Sequence, residues 1–342
     1  SSDVCSSDLG TRDSSVLPVT AIFCLPQNEV WFTESNTICK LVTHTQELTE
    51  FIISDRDSPN PKWNGFIRIN KIIKGSGNEI WMISYGSGIL FRLNTLTENV
   101  SCFLVPRYIV LRMMRDRSGN LWFGCVANDI FILVTNGLPY RSGMLQNSTG
   151  VAFDYTSNYA EDKEGNIIIA TWNGVFRLKN TLKTDMLVPE KTNYDYEGHR
   201  ASGIFTDSHD NLWICYSGGL ICEYDSVGEK TRTLLLPGGP YSEEEGVIKI
   251  IREDKNGNLW FVTNDAGIFK LEKGGKEIKL KYKNEEITGT DKFQTIMDFN
   301  IDREDNIWLS TYFGLYRINQ ATRKVDNLNG FEGSGLIFGN AY

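Results

Sequence analysis

The chain repeats one unit seven times, and that repetition limits its fold more than any other feature. The stretch 253–271, EDKNGNLWFVTNDAGIFKL, has counterparts at 116–133 (DRSGNLWFGCVANDIFIL), 161–178 (EDKEGNIIIATWNGVFRL), 207–224 (DSHDNLWICYSGGLICEY) and 302–318 (DREDNIWLSTYFGLYRI). Two worn copies precede them, at 74–93 (KGSGNEIWMISYGSGILFRL) and 25–41 (LPQNEVWFTESNTICKL). Trp31, Trp81, Trp122, Trp213, Trp260 and Trp308 hold one equivalent position, and Ile168 takes it in the fourth copy. Successive spacings are 50, 41, 46, 45, 47 and 48 residues. A period of about 40–50 residues suits the four-stranded blade of a β-propeller.

One unit reads strand by strand. Residues 247–252 (VIKIIR) form a β-branched run, the first strand. Asp254 to Asn258 is a tight turn, in which Asp bonds the backbone two residues on and Gly257 accepts the left-handed conformation. Asp210 and Asp305 replace that glycine in copies 5 and 7, and Asp tolerates the same region better than most residues. Residues 259–263 and 268–271 follow as second and third strands. Residues 277–282 alternate charged and apolar side chains, as a half-exposed outer strand does. No amphipathic helix pattern of useful length occurs. The expected fold is all-β: a seven-bladed β-propeller of four-stranded antiparallel blades over 13–328, with the repeated Trp between neighbouring blades. Closure of such repeats removes exposed edges.

The two ends read differently. Residues 1–12 contain DVCSSDL, which resembles the translation of a sequencing-adapter oligonucleotide, and are set aside as a non-native or disordered lead. Residues 329–342 read as the start of a further blade or a closing segment, cut short. The seven repeats either close one ring or straddle two.

Composition excludes some partners. A net charge of −8 and a pI near 5.1 oppose binding to a phosphate backbone, so no nucleic-acid contact is expected. No run of 18 apolar residues occurs. The cysteines show no zinc spacing, and Cys215 and Cys222 are candidates for a disulfide across one hairpin. The recurring Asp and Asn of the turn lack the distal Glu of a calcium loop. His44, His199 and His209 are scattered, and no nucleophile elbow, P-loop or dinucleotide fingerprint occurs. No catalytic residue, metal or cofactor is expected, and the chain is not read as an enzyme.

The pattern D-x-x-G-N-L-W, then G-[IL]-x-[RK]-[LIY], resembles the two-component regulator propeller repeat. Asn136-Gly137-Leu138-Pro139 and Gly335-Leu336 look like that family's inter-blade signal. Departures are Ile168 for the tryptophan of copy 4 and the missing glycines of copy 1. The resemblance implies the periplasmic sensor part of an inner-membrane hybrid regulator of Bacteroidetes. It further implies a second propeller and a histidine kinase in the parent protein, homodimerisation there, and carbohydrate sensing through an oligosaccharide ligand. The alternatives are a propeller lyase or hydrolase acting on a polysaccharide or cyclic ester, for which His199 with Tyr194 or Tyr196 is the visible acid–base set, and a protein-interaction scaffold.

In a four-stranded blade the D-x-x-G-N turns fall on one end of the ring. The loops after the second strand, and the long connections 54–66, 139–155, 188–202 and 237–246, fall on the other. That second end gathers Trp63, Tyr85, Trp172, Tyr216, Tyr312, Asn264, Asp265, His199, Arg200 and Tyr241 as candidate ligand-binding residues, with Asn128, Asp129 and Asn173 beside them. Aromatic faces ringed by Asn, Asp and Arg suit sugars, whose C–H faces stack while their hydroxyls take directional hydrogen bonds.

Overall fold

A computed structural model describes residues 19–328, except 26–27, 35–36, 54–68, 85–87, 105–109, 126–128, 134–140, 145–155, 173, 180–189, 195, 197–198, 240, 242–245, 264–265, 289–295 and 312–313. Within them the chain forms seven antiparallel sheets, each of four consecutive strands. The sheets are blades 1 to 7, spanning 19–52, 69–104, 110–144, 156–191, 201–235, 248–282 and 296–327. Their first strands are Val19–Leu25, Ile69–Lys74, Val110–Arg115, Thr156–Glu161, Ala201–Thr206, Ile248–Glu253 and Ile296–Ile301. These run beside one another around the axis, and that of blade 1 lies against that of blade 7, so the ring closes. In blade 6 the second and third strands, Leu259–Thr263 and Ile268–Leu271, match the sequence reading, and the first and fourth fall within a residue of it. The described helix is one turn of α-helix, Asn284–Thr288, and a 3-10 turn, Ser217–Gly219.

The repeated position packs between blades. Trp31 meets Ile72, Ile80 and Met82 of blade 2, and Trp122 meets Tyr159, Ile167 and Ile169 of blade 4. Trp213 lies against Phe261 of blade 6, and Trp260 against Phe299 of blade 7. Trp308 closes the circle on Ile22 and Phe32 of blade 1. Ile168 does the same work at the joint of blades 4 and 5, against Ile204 and Ile214. Each ring is buried between apolar surfaces, which makes these joints the main hydrophobic stabilisation of the fold.

The D-x-x-G-N turn is a hydrogen-bonded knot that seats the Trp. Asp254 accepts from the backbone N–H of Asn256 and Asn258, from the Asn258 amide, and from the Trp260 indole at 2.9 Å. Asp116, Asp207 and Asp302 repeat the indole bond to Trp122, Trp213 and Trp308 at 2.8–2.9 Å. These contacts satisfy the carboxylates that a calcium reading would have left for a metal. Asp210 and Asp305 take the turn's left-handed position at φ 61°, where Gly119, Gly165 and Gly257 stand in other blades. In blade 4, where Ile168 supplies no indole, Arg177 approaches Asp162 at 3.5 Å instead.

The proposed disulfide is corrected by register. Cys215 pairs with Ile221 and Cys222 with Ile214, one step apart, so the two thiols point to opposite faces of blade 5. Cys215 belongs to the joint with blade 6 and Cys222 to the joint with blade 4, and both are free.

Candidate functional site

Strand alternation fixes the ends of the ring. The 1–2 turns share one end, and the 2–3 loops and inter-blade connections share the other. At blades 4 and 5 that second end brings several of the candidate residues together.

Trp172 sits at the tip of the connection between Ile167–Thr171 and Gly174–Leu178. Thr171 pairs with Gly174, so the connection is a tight hairpin, and the Thr171 hydroxyl ties it by donating to the Gly174 carbonyl at 2.8 Å. The indole is 47% exposed, unlike the repeat tryptophans. The Arg200 guanidinium stands 5.0 Å from its ring centroid. Arg200 ends the connection from blade 4 to blade 5, and its backbone is clamped. Ser217 N–H donates to the Arg200 carbonyl at 2.8 Å, and Arg200 N–H donates to the Ser217 hydroxyl at 3.2 Å.

His199 is held by the same serine, its Nδ1 lying 3.0 Å from the Ser217 carbonyl. Its ring meets Tyr196 edge-on at 5.5 Å between centroids. Tyr241 lies alongside, half-buried, its hydroxyl donating to the Pro237 carbonyl at 2.7 Å. Two glycines make room for that ring: a Cβ on Gly219 would meet Tyr241 Cδ2 at 2.9 Å, and one on Gly246 would meet Cγ at 2.7 Å. The short segment Ser217–Gly219 thus holds His199, Arg200 and Tyr241 at the rim, and Arg200 in turn stands over Trp172 of blade 4.

Tyr216 departs from expectation. It is 1% exposed, and its hydroxyl donates to the Tyr194 carbonyl inside the joint of blades 4 and 5, so it cannot stack on a ligand. It occupies the position three past the repeat Trp. There other blades bury a small hydroxyl, Ser84, Thr171, Thr263 or Thr311. Tyr194 is buried too. Burial pushes its phenol up, against the opposing pull of Arg177, which bonds its hydroxyl at 2.9 Å. Of the two tyrosines named as partners for His199, therefore, Tyr196 is the one against it. Trp63, Tyr85, Tyr312, Asn264 and Asp265, with Asn128 and Asn173, lie outside the described residues, as does the side chain of Asp129. Sequence reasoning missed Ser217, whose signal was the Ser-Gly-Gly run directly after Tyr216.

No family model and no curated relative matches the chain. Solved structures do. Virginiamycin B lyase from Staphylococcus aureus superposes with a TM-score of 0.67 at 18% identity, over 89% of this chain and 94% of that one. The extracellular domain of a hybrid two component system from B. thetaiotaomicron gives 0.63 at 15% identity, over 90% of this chain and 38% of that one. The WD40 propeller domain of Doa1 gives 0.63 at 12% identity, over 88% and 92%.

The likeness is one of fold. A lyase, the extracellular domain of a two component system and a WD40 propeller share this ring, so function has to be argued from the site. Here the rim offers an exposed indole, a guanidinium, an imidazole and a phenol, each positioned by hydrogen bonds or close packing against its neighbours. Such a rim provides apolar area for stacking and cationic donors for carboxylate or hydroxyl groups.

Proposed function

We propose that this chain is the ligand-binding sensor module of a hybrid two-component regulator and that it reads an oligosaccharide at the rim of blades 4 and 5. The observation that carries the proposal is the half-exposed Trp172 with Arg200 over its ring, on loops that the scaffold clamps. Binding residues on loops held by a rigid scaffold are the common arrangement. The seven-copy repeat and its resemblance to the regulator family support the signalling role. The fold shared with an extracellular two-component domain is consistent with it. On this reading the module is periplasmic, further domains of the parent chain include a second propeller and a histidine kinase, and ligand changes how two sensor domains of a homodimer pair.

The test is thermal stability against a panel of plant and host oligosaccharides. A ligand at 100 times its Kd should add about 2.7 kcal/mol to folding stability. Trp172→Ala and Arg200→Ala should abolish that gain and leave the unliganded protein's melting unchanged. A gain that survives both substitutions places the ligand elsewhere. Conversion of the glycan to product would favour a propeller lyase or hydrolase instead.

A further inference from the structure

Six described arginines stand over aromatic rings, and five of them spend the guanidinium inside the protein. Arg92, Arg177, Arg232 and Arg317 each pair with a carboxylate, that of Glu79, Asp162, Glu223 and Asp326 in turn. Arg323, over Tyr282, donates to the Lys281 carbonyl at 3.1 Å. Arg200 differs from all five. Its guanidinium stands over Trp172 and, among the described residues, takes part in no hydrogen bond or ion pair. What is held is its backbone, clamped at both N–H and carbonyl by Ser217, while the side chain is exposed. A guanidinium has five N–H donors in a planar fork that matches both oxygens of a carboxylate. The scaffold thus fixes the base of this arginine, backs it with an indole and leaves the fork to a partner outside the described chain.

His199 adds direction. Its Nδ1 lies 3.0 Å from the Ser217 carbonyl. A carbonyl only accepts, so Nδ1 carries the hydrogen and Nε2 is the nitrogen left for a ligand hydroxyl. The imidazole is exposed, next to Arg200 in the chain. One short segment therefore presents a fork for an anion, a hydroxyl partner and, beneath the fork, apolar ring area. The net charge of −8 does not oppose an anion here. At physiological ionic strength charges are screened beyond about 8 Å, so contact with Arg200 decides what binds.

Resting on the reading of this rim as a sugar site, we propose that its ligand is an acidic oligosaccharide. A uronate residue would place its carboxylate on the Arg200 fork, a hydroxyl on His199 Nε2 and its C–H face on the exposed part of the Trp172 indole. A carboxylate–guanidinium contact is charge-assisted and roughly twice as strong as a neutral hydrogen bond, so the uncharged sugar of the same shape binds more weakly.

The probes are oligosaccharides of galacturonate, glucuronate and mannuronate, each beside its carboxyl-reduced counterpart, which keeps ring and linkage and loses only the charge. Each is titrated calorimetrically into the folded chain at constant ionic strength. At least one uronate oligosaccharide should bind saturably, and its reduced counterpart about 10- to 100-fold more weakly, the range for a hydrogen bond to a charged group. Arg200→Gln should bring the uronate's Kd to that of the reduced sugar and leave the reduced sugar's Kd where it was. A variant that merely disordered the rim would weaken both. Arg200→Lys keeps the charge without the fork and should fall between. One Kd for a uronate and its reduced counterpart, a uronate preference that survives Arg200→Gln, or binding by the reduced sugars alone overturns the acidic ligand; where that binding is lost in Trp172→Ala, the rim still stands as a sugar site. No binding by any acidic or reduced probe, or binding that survives Trp172→Ala, overturns the rim reading and the acidic ligand with it.

Discussion

The position three residues past the repeat Trp shows how a single residue departs from its neighbours. In blades 2, 4, 6 and 7 it is a buried Ser or Thr, and the Thr hydroxyls of blades 4, 6 and 7 turn back onto the glycine carbonyl of the following loop at 2.8–3.1 Å. Blade 5 places Tyr216 there, and blade 1 places Glu34, a carboxylate that is 3% exposed with one oxygen unbonded among the described residues. Burial, reinforced by the charge of Glu50, pushes the Glu34 carboxyl up to about 7. Its folded pKa therefore lies above its unfolded one. The stability it contributes is complete below the ordinary carboxylate range and is lost as pH rises through about 7. Thermal melts from pH 4 to 9 should show wild type losing on the order of 1–3 kcal/mol through that window and Glu34→Gln not losing it. Parallel curves would refute this. Asp254 behaves oppositely. Burial raises its carboxyl, but the bonds from Trp260, Asn258 and Asn256 outweigh burial and hold it below its usual value. Its contribution is present above the unfolded pKa and lost as pH falls through the folded one. Asp254→Ala should cost about 1–3 kcal/mol at neutral pH by orphaning buried donors, measured by chemical denaturation.

At the scale of the blade, much was legible. Period, turn chemistry and alternation gave the strands of blade 6 to within a residue, because each element carried its own local signal. The Trp260 joint was equally readable, and Trp260→Ala should cost about 3–5 kcal/mol in urea denaturation, since the ring is fully enclosed. What failed depended on register. Cys215 and Cys222 are close in sequence, but the tight Ser217–Gly219 turn offsets them by one residue and a single step reverses the face. Burial also pushes the Cys215 thiol well above its usual pKa. Peptide mapping after alkylation under denaturing, non-reducing conditions should find both thiols free, and a linked 215–222 peptide would contradict the register. A second irregularity was a redistribution of charge. Cations at the same third-strand position cover the Trp in blades 1, 2, 6 and 7, at 5.7, 5.6, 5.0 and 5.9 Å. Blade 5 has Glu223 there, and its strand partner Arg232 covers Trp213 at 5.1 Å while bonding Glu223. No repeat pattern read along one strand reports a swap made across two.

Around the whole ring, every sheet uses four consecutive strands, so the seam between blades 7 and 1 is held by side-chain packing of Trp308, Ile22 and Phe32 rather than by a shared sheet. Trp308→Ala should therefore speed hydrogen exchange in blades 1 and 7 ahead of the others, and uniform acceleration would mean the seam is no weaker than any joint. The rim of blades 4 and 5 was partly visible beforehand: Trp172, His199, Arg200 and Tyr241 were named from loop position, whereas Ser217, which orders two of them, has no side-chain chemistry that marks it. The central claim is that this rim binds sugar through Trp172. Because that indole is 47% exposed while Trp31, Trp122, Trp213, Trp260 and Trp308 are buried, the difference in acrylamide quenching between wild type and Trp172→Phe isolates its fluorescence. A glycan that raises the melting temperature should shield that component from acrylamide with the same Kd. A glycan that stabilises the protein while leaving Trp172 fully quenchable would contradict the account.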